Sequence, residues 1–135
     1  MLFLFMTVMK NKETKVIFYP KNSKSVSIIC EVANSYSAKM RGMMYKESLP
    51  IDRGMLFPFL VPWQRFFWMK NVKIPLDVIF INSKLEIIYI HEAPVKEGFF
   101  QKMYWSHGFC KYVIETNMGF CKKNDILVGS KIEIN

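Results

Sequence analysis

Six side chains could together hold a small ligand: Arg41, Trp68, Lys70, Asn71, Asp77 and Glu115. Asp77 enters a run, Val78-Ile79-Phe80-Ile81, that is apolar enough to be buried on both faces. A carboxylate at the mouth of such a strand is costly unless it is paired or hydrogen-bonded. Lys70, Arg41 and backbone N–H groups are the candidate partners. Pro75 cannot donate to a ladder, so it suits the first residue of a strand and fixes how Asp77 enters. Glu115 poses the same problem within Tyr112-Val113-Ile114-Glu115, close to Asn117. Gathered at one end of a barrel, these groups would divide the work of binding. Trp68 would stack on the ligand, the cations would hold an anionic or hydroxyl-bearing group, and the carboxylates would orient it. The plainer alternative is that Asp77 and Glu115 cap turns or pair with Arg41 and merely lock loops.

Other chemistries are less well supported. Two carboxyls roughly 5–10 Å apart would permit glycoside-type hydrolysis, with Asp77 and Glu115 as the pair. There is no G-x-S-x-G element, and Ser106-His107 has no matching partner pattern. His91 and His107 lie sixteen residues apart, and Cys30, Cys110 and Cys121 form no C-x-x-C pair. Closed tetrahedral sites normally show close ligand pairs, so only an open site of His91, Glu92 and His107 comes into question. Neither a metal nor a cofactor is expected. The ten methionines invite a Cu(I) reading, with Met40 and Met43 one helical turn apart and Met44, Met55 and Met69 in nearby segments. Core packing is the commoner use of such residues. A Cys110–Cys121 bridge would need an oxidising compartment. Rossmann and Walker phosphate patterns are missing, and the six isolated glycines are expected to serve turns.

The 135 residues make about one domain. With 51% hydrophobic and 22% charged residues, the chain is neither disordered nor collagenous. No apolar run approaches the roughly 18 residues that a spanning helix needs. The net charge is +8 and lies entirely in residues 1–73, which carry twelve basic and four acidic residues against seven of each in 74–135. That asymmetry would suit an anionic surface, and a basic interaction module is one reading of the chain. Sixteen of the nineteen basic residues are Lys, however, which reads base edges and phosphates poorly. A nucleic-acid partner is therefore not expected. Where Lys is the default, Arg41, Arg53 and Arg65 are the positions at which a planar fork is worth keeping.

The elements that must position these groups are mostly strands. Residues 1–14 are an apolar segment, MLFLFMTVM, and a polar linker. The segment could be a remnant signal or anchor close to a membrane, or an extra strand, although it lacks a basic start and a cleavage site. A single β-rich domain is expected over 15–135. Strands are expected at 16–20, 25–33, 54–60, 65–70, 75–81, 85–92, 111–117 and 130–134. A short helix capped by Asn34 or Ser35 should end near Gly42, and a second should cover MGFCKKND. Asn82-Ser83-Lys84 is a hairpin turn, and 93–110 reads as a long loop. The fold class is mainly β (α+β): a small antiparallel, closed or partly closed barrel or sandwich of seven or eight strands with two short helices. Closure is the natural way to bury so many aromatics and hide the edges.

Several segments together resemble an uncharacterised family, domain of unknown function 192. They are RGMMYKESLP-IDRGMLFPF (41–59), FFWMKNVKIPLDVIFI (66–81), Ala93-Pro94, and YVIETNMGF with the later Gly129. The resemblance covers roughly residues 25–133, with Lys46 where the family more often has Arg and Met118 where it favours Ala. It implies a small, mainly β domain, often exported behind a signal or anchor, and no established reaction. The sequence thus leads to a small-ligand-binding β domain. A hydrolase with paired carboxylates and a basic module for an anionic surface are the alternatives.

Overall fold

The computed structural model describes residues 11–135; the apolar segment expected over residues 1–9 lies outside them. The described residues form nine strands and two short helices: β1 (Glu13–Tyr19), β2 (Val26–Val32), α1 (Tyr36–Arg41), β3 (Arg53–Trp63), β4 (Phe66–Phe67), β5 (Leu76–Ile81), β6 (Ile87–Ala93), β7 (Tyr104–Trp105), β8 (Cys110–Asn117), α2 (Phe120–Lys123) and β9 (Lys131–Ile134). Seven of the strands build one sheet in the order β6-β5-β8-β3-β2-β1-β9, and β4 pairs with β7 in a two-stranded ribbon. The two ends of the large sheet meet. Glu86 bridges Lys131, and the Ile87 N–H donates to Ser130 O at 2.9 Å while the Ile132 N–H donates to Leu85 O at 2.9 Å. These bonds curl the sheet into a partly closed barrel and cover edges that would otherwise be open to pairing.

Two expectations need correction. The sheet is not wholly antiparallel: β2 runs parallel to β3, with Cys30 opposite Gly54 and Val32 opposite Leu56. A parallel neighbour needs a long crossover, and α1 with its following loop supplies it between Val32 and Arg53. The strand expected over 65–70 shrinks to Phe66–Phe67, and 93–110 is not all loop, because Tyr104–Trp105 pairs with it.

Alternation along the strands divides the apolar residues between two cores. Val16, Phe18, Ile28, Cys30, Leu56, Ile79, Ile81 and Ile114 fill the barrel, and α2 closes one end with Phe120 and Cys121. The other face of β3, β5 and β8 carries Phe57, Phe80 and Val113, which pack beneath Met43, Met69 and Tyr104 from the connecting segments. Each buried Phe on that face contributes roughly 1.5–3 kcal/mol. Met43, Met55 and Met69 are core residues here.

The caps follow the sequence. Ser35 accepts a hydrogen bond from the Ala38 N–H at the start of α1, and the Gly42 N–H donates to Ala38 O at its end. Gly42 has φ +48°, and the atoms nearest to any added Cβ belong to the Phe57 ring. Asn82 Oδ1 accepts from the Lys84 and Glu86 N–H groups and forms the expected turn.

Candidate functional site

The outer core does not close completely. On β3, Pro58 pairs with Tyr112, and the register then shifts before Trp63 meets Cys110. Proline offers no N–H to the ladder, and the far end of β3 bulges away from β8 between Pro58 and Trp63. Between that strand end, α1 and the segment carrying β4 lies a cleft of ≈ 690 Å³. Phe57, Phe59, Phe67 and Trp68 give it an apolar lining, and Lys39, Arg41 and Arg65 give it charge. Glu115 reaches it from β8.

The cations are arranged around Phe59. The Arg65 guanidinium carbon lies 3.8 Å from that ring's centroid and Lys39 Nζ lies 5.4 Å from it, both within cation–π range. Arg65 Nη2 also donates to Val61 O at 2.7 Å, while its Nε is buried without a partner among the described residues. Burial and the neighbouring Arg65 charge hold the Lys39 ammonium below its usual pKa. Among the described residues, Lys39, Arg41 and Arg65 form no ion pair; Arg53, the third arginine, pairs with Glu13 and Asp52.

Glu115 is 4% exposed, and its Oε2 has no hydrogen-bond partner among the described residues. Its neighbours in register are Met55 on β3 and Val78 on β5, both apolar. Burial alone pushes its pKa up to about 8. At neutral pH it is therefore a protonated acid that can donate a hydrogen bond into the cleft. Arg41 lines the same cleft without pairing with it, so the Arg41–Glu115 pairing of the plainer alternative does not form.

Asp77 is placed otherwise. It stands opposite Thr116, one register position from the Val78–Glu115 pair, and so faces the barrel side of the sheet. Its Oδ2 accepts from the Cys121 N–H at 3.0 Å and its Oδ1 from the Gly119 N–H at 3.3 Å, which caps α2. Burial raises its pKa while these bonds act to lower it. Asp77 and Glu115 thus lie on opposite faces of one sheet. Glu115 lines the cleft and Asp77 does not. Asp77→Ala should leave two N–H groups unsatisfied, lowering stability by about 2 kcal/mol without altering binding in the cleft. Thermal unfolding together with binding measurements on the variant checks both halves.

Of the six residues selected from the sequence, Arg41, Trp68 and Glu115 meet at the cleft. Lys70 is exposed, with Nζ 5.4 Å from the Trp68 ring centroid, and supports that ring from outside. Asn71 adopts φ +58° and donates to Tyr45 Oη at 3.2 Å, while its carbonyl accepts from the Tyr45 N–H, joining two loops. Lys39 and Phe59 were missed because nothing local marks them. Arg65 carried a signal as one of three arginines in a Lys-rich chain.

The remaining candidates divide in the same way. Among the described residues no group of three His, Cys, Asp or Glu side chains could hold a metal. His91 Nε2 bonds Trp105 O at 2.8 Å, whereas Glu92, next along the strand, pairs with Lys122 at 2.7 Å. Cys30, Cys110 and Cys121 are free, buried thiols, so the Cys110–Cys121 bridge does not form. Burial pushes the Cys30 thiol up to about 12 and raises the other two. Lys46 makes a single-point ion pair with Glu31 at 3.5 Å.

A small, partly closed β-barrel with a lateral cleft defines the class of protein. The family described as Uncharacterized ACR, domain of unknown function 192, matches residues 18–134, and the chain belongs to it. A solved structure from Sinorhizobium meliloti 1021, provisionally described as a transcription regulator, is similar at 28% identity and TM-score 0.86, covering 93% of this chain and 95% of that one. A protein of unknown function from Novosphingobium aromaticivorans is similar at 26% identity and TM-score 0.83, covering 94% of this chain and 89% of that one. Comparison with curated proteins returns no match.

Proposed function

We propose that this chain is a small-ligand-binding domain whose lateral cleft takes a molecule with an apolar body and an anionic end. The carrying observation is the convergence of Lys39, Arg41 and Arg65 on one apolar cleft, with no acidic partner for any of them among the described residues. The cleft's ≈ 690 Å³ falls within the roughly 300–1,000 Å³ usual for small-molecule sites. Trp68 and the phenylalanines cover the ligand's body, the cations hold its anionic end, and neutral Glu115 donates to an acceptor on it.

A thermal-shift screen of aliphatic and aromatic carboxylates and phosphates tests this. At least one should raise the melting temperature, by mass action on the native state. Loss of a charge-assisted contact costs roughly 1.5–3 kcal/mol, so the double change Arg41→Ala and Arg65→Ala should weaken that compound at least about tenfold. Equal affinity in the double variant would overturn the assignment, as would a screen in which anionic and neutral compounds behave alike.

A further inference from the structure

The strand ends and loops around the β4–β7 ribbon, next to the cleft, carry aromatic side chains that the fold does not bury. Trp63 stacks on Phe109 with centroids 5.6 Å apart, joining the end of β3 to the residue before β8. Phe66 packs on Trp105 across the β4–β7 ribbon at 4.9 Å. The segment leading into β7 carries Phe99 and Phe100, which touch each other and are 89% and 84% exposed; Leu60 is 94% exposed. Water-facing residues of this size at strand ends and loop tips do not stabilise the fold, and an apolar patch so concentrated marks a contact surface.

The segments that carry these rings are also basic. Segments 60–70 and 94–111 contain Arg65, Lys70, Lys96, Lys102 and Lys111 against a single acid, Glu97. Exposed Trp and Phe surrounded by Lys is the composition of a surface that sits in the headgroup region of an anionic bilayer. There, aromatic rings enter the acyl boundary and ammonium groups meet lipid phosphates. The patch also runs into the cleft, since Leu60, Phe66 and Met103 are exposed and line it as well.

We infer that the aromatic patch formed by Trp63, Phe66, Phe99, Phe100, Trp105 and Phe109 docks on an anionic lipid surface. Among the described residues no helix is long and apolar enough to cross a membrane; the contact proposed is peripheral. It stands independently of the ligand assigned to the cleft.

Vesicle co-sedimentation of the full chain tests it, using phosphatidylcholine alone and phosphatidylcholine with a third phosphatidylglycerol. Wild-type protein should bind the mixed vesicles and release them in high salt. Burial of two phenylalanines is large enough that Phe99→Ser with Phe100→Ser should weaken binding at least about tenfold. Lys96→Ser and Lys102→Ser should each cost about fivefold. All of these positions are exposed, so melting temperatures should not move. Equal binding by the Phe variant would place attachment elsewhere in the chain and overturn the inference. A wild-type chain that ignores both vesicles would do so too. So would self-association lost in the Phe variant with vesicles unbound, which would make the face an interface between copies.

Discussion

Glu115→Gln is expected to stabilise the protein under mildly alkaline conditions and to remove most of its loss of stability between weakly acidic and alkaline pH. In the unfolded chain this carboxyl ionises near its ordinary value of 4.5, whereas burial in the native protein delays ionisation until about 8. Between those values the native state holds a proton that the unfolded state has released. Stability therefore falls with rising pH, by about 1.4 kcal/mol per unit for a single group. Below 4.5 both states are protonated and above about 8 both are ionised, so the slope is confined to that window. Glutamine has nearly the same shape, keeps a donor for the cleft, and does not titrate. Urea unfolding of both forms across this range measures the effect: the curves should nearly coincide at the acid end and separate progressively above it. Parallel curves would show that the wild-type carboxyl is not held neutral. A wild-type stability that rises through the window would show that Glu115 ionises against Arg41, and the reading of the cleft floor would fail.

The contrast with Asp77 explains why one buried acid is poised for binding while the other is structural. Both stand in the β5–β8 region, and both pay for burial with a raised pKa. Asp77 recovers part of that cost from the Gly119 and Cys121 N–H groups and has a task in holding α2 over the barrel end. Glu115 Oε2 recovers nothing from the described residues. A buried polar group left without a partner is costly, and perturbed carboxyls of this kind concentrate where ligands bind.

Much of this architecture was legible. Periodicity and punctuation located β5 and β8 closely, Ser35 and Gly42 bracket α1 as caps should, and Asn82 makes its turn. The cost of Asp77 and Glu115 was legible too, because a carboxylate in an apolar run signals itself. Their grouping was not. Which face of a sheet a residue occupies depends on register, and a slip of one position reverses it. Asp77 faces Thr116 and Glu115 faces Val78, and that single step decides that the two acids never meet. The parallel pairing of β2 with β3 is a long-range choice made by the α1 crossover, and nothing within either strand announces it. The Lys39–Phe59–Arg65 arrangement depends on where β3 bulges away from β8, which Pro58 permits but does not specify.

Gly54 shows the same limit and yields the steepest steric prediction. Its sequence context, Asp-Arg-Gly, suggests a turn, yet it lies inside β3 and its φ is not one that demands glycine. Space is what demands it. An added Cβ would stand 2.8 Å from the Glu115 carbonyl oxygen, 3.1 Å from Ile28 Cδ1 and 3.3 Å from Cys30 Sγ. Side-chain ends can rotate away, but the carbonyl belongs to β8, which is hydrogen-bonded on both sides, so the strands themselves must separate. Overpacking typically costs 1–3 kcal/mol, and a clash with fixed backbone belongs at the upper end. Gly54→Ala should thus lower stability by about 3 kcal/mol, a fall in melting temperature on the order of 10 °C for a domain of this size. It should also disturb the cleft, because the carbonyl it displaces is that of Glu115. Gly108→Ala is the matched control: its Cβ would meet only Ile88 Cδ1 at 3.4 Å. With ordinary contact and a stiffer unfolded chain, that variant should remain within about 1 kcal/mol of wild type. If the two variants melt alike, β2, β3 and β8 do not approach as closely as the geometry places them, and the position of Glu115 at the cleft floor loses its support.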